Sequence, residues 1–209
     1  MIAKIFIDGE AGTTGLQIRA RLAERDDVEV VSLGEEKRKD SAARAEMLNG
    51  ADLAILCLPD EAAIEAVAMI DNPDVKVIDA STAHRVDPDW VYGFPEMDAD
   101  QAGVIGAAKR VANTGCYALS AVAMIRPLVA AGILPSDYPV TINAVSGYSG
   151  GGRRMIESFE DKNAPDYTEE TFRVYALTLS HKHVPEIQVH AKLDRSEAHT
   201  AALQSQASP

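Results

Sequence analysis

The sequence predicts an α/β protein: a parallel-sheet region of βαβ units, followed by a segment of different rhythm that mixes strands and helices. Three observations carry this. Short apolar segments alternate with helix-like ones from residue 2 to residue 80, a glycine-rich turn follows the first of them, and the rhythm breaks after Thr82. Strand–helix alternation of this kind builds βαβ units around a parallel sheet.

Residues 2–8, 28–33, 51–58 and 75–80 are apolar at successive positions, as strands covered on both faces are. Between them, 14–25 places Leu16, Ile18 and Leu22 among charges, 41–48 follows a charged loop, and 60–70 opens with Asp60 as an N-cap. Residues 83–97 read as loop, interrupted by Pro88 and Pro95. A strand near 109–113 leads into Asn113-Thr114-Gly115-Cys116-Tyr117 and a helix from 117 to about 131, apolar on most sides. A strand over 140–146, a glycine-rich turn, a helix over 154–161, a strand over 171–179 and a helix starting at 184 complete the second domain. Residues 196–209 are small and polar, without periodicity, and predict an unstructured tail.

The 209 residues carry 20 Lys and Arg against 32 Asp and Glu, a net charge of −12. No basic stripe exists to neutralise phosphates, which argues against a nucleic-acid partner and against an anionic membrane surface. The uncharged stretch 111–125 contains Asn113, Thr114, Gly115 and Ser120 and falls short of the roughly 18–20 apolar residues of a membrane span. The N-terminal apolar run meets Asp8 too early for a signal peptide. Two cysteines make no disulfide framework, so a cytoplasmic, reducing location is expected. Cys57, inside an apolar run, reads as an inert buried thiol.

Gly9-Glu10-Ala11-Gly12-Thr13-Thr14-Gly15 stands between the first strand and the first helix. A turn there frees backbone N–H groups at a helix N-terminus for a pyrophosphate, which makes the domain Rossmann-like. Gly9 permits the turn, Gly12 allows close approach and Gly15 packs the helix on the strand; the same glycines also suit a βα turn with no ligand. Ser32, at the end of the second strand, and the run Lys37-Arg38-Lys39 favour a 2′-phosphate, hence NADP over NAD, although such a run also reads as a solvated loop.

Cys116 opens the long apolar helix, where the dipole favours a thiolate suited to attack on an activated carbonyl. His181 and His183 supply imidazoles for proton transfer, with no further Cys or His cluster to complete a metal site. Ser146-Gly147-Tyr148-Ser149-Gly150-Gly151-Gly152-Arg153 is a second turn suited to anions, with Arg153 and Arg154 as clamps. Each has a plainer reading: a small residue at a helix start, a histidine cap, and two solvated arginines.

Taken together, GEAGTTG, DASTAHR, YGFPEM, NTGCY, SGYSGGGR and HKHVPE resemble, in order, motifs of the N-acetyl-gamma-glutamyl-phosphate reductase family, short bacterial type. The nucleophile motif of that family is often written with proline where this chain has Thr114. Aspartate-semialdehyde dehydrogenase, which shares the architecture and the cysteine chemistry, is the nearest rival. The resemblance implies NADPH-dependent reduction of an acyl phosphate to a semialdehyde through a cysteine thioester, in arginine biosynthesis. It carries Cys116 over as nucleophile, His183 as acid–base partner, and Gly12 with Thr13 and Thr14 as cofactor-loop residues. Asn113, Ser146 and Arg153 are the expected substrate ligands. It further implies an NADP-binding domain over 1–115 and a catalytic α+β domain over 116–195 that mediates homo-oligomerisation. The similarity ends near residue 195, where family members continue, so the second domain is expected to be partial. A non-catalytic NADP-binding fragment is the alternative of another class.

Overall fold

The computed structural model describes residues 2–34, 36–175, 180–194 and 199–205. The chain divides into two compact units, Met1–Thr114 and Gly115–Pro209.

The first unit is a six-stranded sheet in the order β2-β1-β3-β4-β6-β5, parallel at every pairing. It is built from β1 (Ala3–Asp8), β2 (Val28–Val31), β3 (Leu53–Leu56), β4 (Lys76–Asp79), β5 (Val91–Tyr92) and β6 (Arg110–Ala112). Helices α1 (Thr13–Leu22), α2 (Ser41–Gly50) and α3 (Asp60–Ala68) cross between strands. The period of two in each strand sorts the core onto two faces. Ile5, Ile7 and Ile55 pack with Ile18 and Leu22 of α1. Phe6, Ala54, Leu56 and Val77 pack with Leu48 of α2 and with Ala63 and Ala66 of α3. Helices on both faces account for strands that read as continuous apolar runs.

Some local expectations yield to tertiary partners. Pro59, not Asp60, caps α3; the Asp60 carboxylate instead accepts from the Thr82 N–H at 2.9 Å and the Thr82 hydroxyl at 2.6 Å. Within the stretch read as loop, Val91 and Tyr92 pair with Val111 and Ala112. Helix α4 (Gln101–Ala107), also not anticipated, is anchored by the buried Gln101, whose Nε2 donates to the Tyr92 carbonyl at 2.7 Å.

The second unit pairs α5 (Cys116–Ala130) with α7 (His183–His190). Ala118, Ala121, Val122 and Ile125 form the buried stripe of α5, at helical spacing, and Glu186 and Ile187 are the fully buried residues of α7. The Arg126 guanidinium donates to the His190 carbonyl at 2.7 Å and ties the last turn of α7. A three-stranded sheet runs β7-β9-β8, from β7 (Thr141–Gly147), β8 (Phe172–Tyr175) and β9 (His199–Ser205). Helix α6 (Gly152–Glu160) follows a 3₁₀ turn over Tyr148–Gly151. Of the strand expected over 171–179, residues 176–179 lie outside the described residues. The tail reading does not hold for His199–Ser205, which form the central strand, parallel to β7 and antiparallel to β8. Two ladder partners supply its order, where side-chain periodicity gave no sign of it.

Candidate active site

The glycine loop closes as its spacing requires. Gly9 has φ +87°, and a side chain there would fall on the Cys57 carbonyl. The Gly12 N–H donates to the Gly9 carbonyl at 3.0 Å, and Gly12 is the N-cap of α1, with no side chain capping it. Gly15 is buried, and a Cβ on it would lie 2.6 Å from both the Gly9 oxygen and the Glu10 Cα. Its role is to seat the loop on the helix rather than the helix on the strand. Thr13 and Thr14 form the first turn of α1.

A crevice of about 760 Å³ opens over this loop, lined by Gly9, Gly12, Leu33, Arg38, Lys39 and Arg44 among others. An uncapped helix N-terminus, backbone brought close by glycines, and basic side chains together fit a pyrophosphate-bearing dinucleotide. Arg44 is itself committed: its Nε and Nη2 reach Asp8 Oδ2 at 3.2 and 2.8 Å, both residues buried. The Ser32 hydroxyl is engaged by Glu10, a residue that reading the loop by its glycines passes over. Cys57 lines the same crevice, and burial, with the nearby Asp79 and Asp8 charges, pushes its thiol up to about 11.

At the ends of β4 and β6 a second cluster fixes the segment before the cysteine. Asp79 is fully buried; it accepts from the Ser81 N–H at 2.9 Å and the Ser81 hydroxyl at 2.6 Å, and its Oδ2 lies 2.7 Å from His84 Nδ1. His84 stacks on Trp90 at 4.1 Å. Next to it, Arg85 Nε donates to the Asn113 carbonyl at 2.9 Å and Nη2 to the Ala80 carbonyl at 3.1 Å. The Asn113 N–H donates to the Asp79 carbonyl at 2.7 Å, so its backbone is held from both sides. The Asn113 side chain is exposed.

In the second unit Cys116 is the first residue of α5 and its thiol is exposed. Gly115, the N-cap, is buried, and its N–H donates to Glu186 Oε1 at 2.6 Å. A Cβ on Gly115 would collide with His183 Nε2 and lie 2.6 Å from Glu186 Oε2, so imidazole and carboxylate converge on the residue before the thiol. His183 is the first residue of α7 and Glu186 lies in its first turn, where the helix dipole favours a carboxylate. His181 completes the cluster: its Nδ1 lies 2.7 Å from the Tyr117 hydroxyl and accepts from the His183 N–H at 3.1 Å. Burial lowers the His181 pKa, the Glu186 charge raises it, and Lys182 lowers it further. The structure thus brings Cys116 and His183 to adjoining helix starts and adds Tyr117 and Glu186, which sequence reasoning missed. An acidic residue in the first turn after HKHVP was the available signal. Ser146 is half-buried near the end of β7, and Arg153 is exposed in the first turn of α6.

Residues 4–105 match the NAD binding domain of semialdehyde dehydrogenase, and residues 116–207 match the semialdehyde dehydrogenase dimerisation domain. The chain belongs to the semialdehyde dehydrogenase family. Within it, the chain groups with proteins named N-acetyl-gamma-glutamyl-phosphate reductase. That of Chelativorans sp. (strain BNC1) is 62% identical over 197 residues, 93% of this chain and 62% of the relative. That of Rhizobium rhizogenes is 60% identical, over 94% of this chain and 64% of the relative. The chain therefore spans a little under two thirds of these relatives. The second domain match runs to residue 207, while the alignments to the relatives take in 193–197 residues, about 93% of this chain. Two solved structures share the fold. Aspartate semialdehyde dehydrogenase II from Vibrio cholerae superposes with TM-score 0.66 at 15% identity, covering 99% of this chain and 71% of that one. Aspartate semialdehyde dehydrogenase from Francisella tularensis gives 0.68 at 13%, covering 97% and 72%.

Proposed function

We propose that this chain carries the reductive dephosphorylation of N-acetyl-glutamyl 5-phosphate to the 5-semialdehyde, with NADP as the cofactor. The observation that carries the reading is the exposed Cys116 thiol at a helix start, with His183 and Glu186 converging on the adjacent Gly115. In this reading the Cys116 Sγ bonds to the acyl carbon, the carbon–oxygen bond to phosphate breaks, and inorganic phosphate leaves with the electron pair. A thioester remains. Bound NADPH supplies a hydride, for which a thioester is a far better acceptor than a carboxylate. His183 gives the substrate oxygen a proton after hydride transfer, and takes that proton back as the carbon–sulfur bond breaks, the carbonyl forms and the thiolate is regenerated. Asn113, Ser146 and Arg153 orient the substrate.

NADP is preferred over NAD because Arg38 and Lys39 line the crevice within a few residues of Ser32. Residues 1–115 serve the cofactor and 116–195 the chemistry. Assembly into a homo-oligomer follows the dimerisation-domain match, and a cytoplasmic location follows the biosynthetic role. Among the described residues, no helix is long and apolar enough to cross a membrane.

The test is to mix the protein with the acyl phosphate in the absence of NADPH and read the intact mass. A shift by one acyl group, lost in Cys116→Ser, is expected. An unshifted mass together with phosphate release, or an adduct that persists in Cys116→Ser, would overturn the assignment.

A further inference from the structure

The cofactor loop holds an anion of its own. Glu10 is the second residue of that loop, and its side chain is 22% exposed. Its Oε2 accepts from Arg19 Nη1 at 2.5 Å, and its Oε1 accepts from the Ser32 hydroxyl. Arg19 Nη1 lies 3.4 Å from the Ser32 oxygen. A hydroxyl and a guanidinium, brought together by an acidic group at the end of the second strand of a dinucleotide fold, form the set of donors that a ribose 2′-phosphate takes. Here a carboxylate of the chain occupies them.

The other cations of the crevice sort cleanly. Arg44 is neutralised by Asp8, whereas Arg38 and Lys39 make no ion pair among the described residues. Arg19 is the cation whose availability depends on an exchangeable partner, since both it and Glu10 line the crevice at its solvent side.

We propose that Glu10 is a specificity-determining residue, an intramolecular competitor for the 2′-phosphate, with Arg19 as a ligand of that phosphate. The proposal rests on the dinucleotide reading above. For NADP to bind, Glu10 must turn away and surrender Ser32 and Arg19, and its negative charge opposes the phosphate that replaces it. With NAD the 2′-hydroxyl donates to Glu10, which stays where it is. The carboxylate therefore narrows a preference that the basic residues create.

Direct titration of NADP+ and NAD+ into the protein by calorimetry tests this without reference to turnover. Glu10→Gln keeps the shape and removes the charge. It is expected to tighten NADP+ and weaken NAD+, moving the ratio of their dissociation constants about tenfold toward NADP+, the scale of relieving a like-charge contact near solvent. Arg19→Ala is expected to weaken NADP+ about tenfold and leave NAD+ within about twofold, because only one of the two presents the phosphate. An unchanged ratio in Glu10→Gln, a shift toward NAD+, or equal losses for both dinucleotides in Arg19→Ala would each overturn the proposal. Because the two variants act in opposite directions on NADP+, a general loosening of the loop cannot mimic the pair. Wild-type protein that binds neither dinucleotide would overturn the cofactor reading itself, whereas firm NADP+ binding with an indifferent Glu10 would overturn this inference alone.

Discussion

Gly115→Ala is the most informative single substitution in the second unit. The added methyl would overlap His183 Nε2 and lie 2.6 Å from both His183 Cδ2 and Glu186 Oε2. Ordinary contact begins near 3.5 Å, so two buried side chains must each retreat by about 1 Å. Overpacking of that degree costs about 1–3 kcal/mol. Replacing glycine by alanine at an N-cap adds roughly 0.5 kcal/mol. If the carboxylate is what moves, the buried Gly115 N–H also loses its 2.6 Å acceptor. A total of about 2–4 kcal/mol follows, enough to lower the melting temperature of a domain of this size by roughly 10–20 °C. A displacement of about 1 Å beside a reacting group slows the chemistry by about a hundredfold. Thermal melting and the rate of acyl-adduct formation on Cys116, followed by mass, measure the two effects, with Ser120→Ala on the exposed side of α5 as the control. A Gly115→Ala protein that melts and acylates like the control would refute the convergence of His183 and Glu186 on this residue.

Three further outcomes are expected. Because the Cys57 thiol is pushed up to about 11, iodoacetamide at pH 8 should label it about two hundredfold more slowly than an ordinary thiol of pKa about 8.5, leaving a singly labelled protein modified at the exposed Cys116; comparable labelling of both would contradict the burial. The His181 pKa is lowered in the fold, so the stability gained by keeping it neutral is present above its unfolded value of about 6.5 and fades as pH falls below that value toward the lower folded one. Melting temperatures between pH 7 and pH 5 should therefore drop more steeply in the wild type than in His181→Gln, and parallel slopes would rule out this histidine as the cause. Arg44→Met strands a buried Asp8 carboxylate and should cost about 3–5 kcal/mol in urea unfolding, most of it recovered on adding Asp8→Asn; no recovery in the double variant would place the loss elsewhere.

What the sequence made legible is what local chemistry decides. Buried parallel strands show as unbroken apolar runs because both faces of β1 and β3 meet helices. The glycine loop shows because Gly9 needs a positive φ, and the start of α5 because an apolar helix follows a glycine cap. What stayed hidden depends on partners distant in the chain. The two-residue β5 exists by pairing with β6, α4 hangs on one buried glutamine, and β9 is ordered by strands on either side of it. The same holds within the site. Glu186 meets Gly115 across 71 residues of chain, and Glu10 meets Ser32 across 22. A motif can name the cysteine; only the fold shows which carboxylates press on its neighbourhood.

Those carboxylates also resolve an apparent conflict between composition and reading. A chain of net charge −12 has no general attraction for a dinucleotide carrying two or more phosphates. The resolution is local. Asp8 ends β1 and Asp79 ends β4, at the carboxyl edge of the sheet, where ligands of open α/β folds bind. Left free, both would repel a phosphate. Asp8 is instead turned against Arg44, and Asp79 against Ser81 and His84, each buried and spent on holding the structure. The acidic side chains that end these strands are thus withdrawn from the crevice electrostatically, leaving Arg38 and Lys39 as its cations without an ion pair among the described residues, set against the exposed Glu65. Glu10 and Glu65 are the exceptions, both lining the crevice without being buried; of the two it is Glu10 that holds a crevice cation, Arg19, and the Ser32 hydroxyl, which is why the proposed discrimination between anions rests on it.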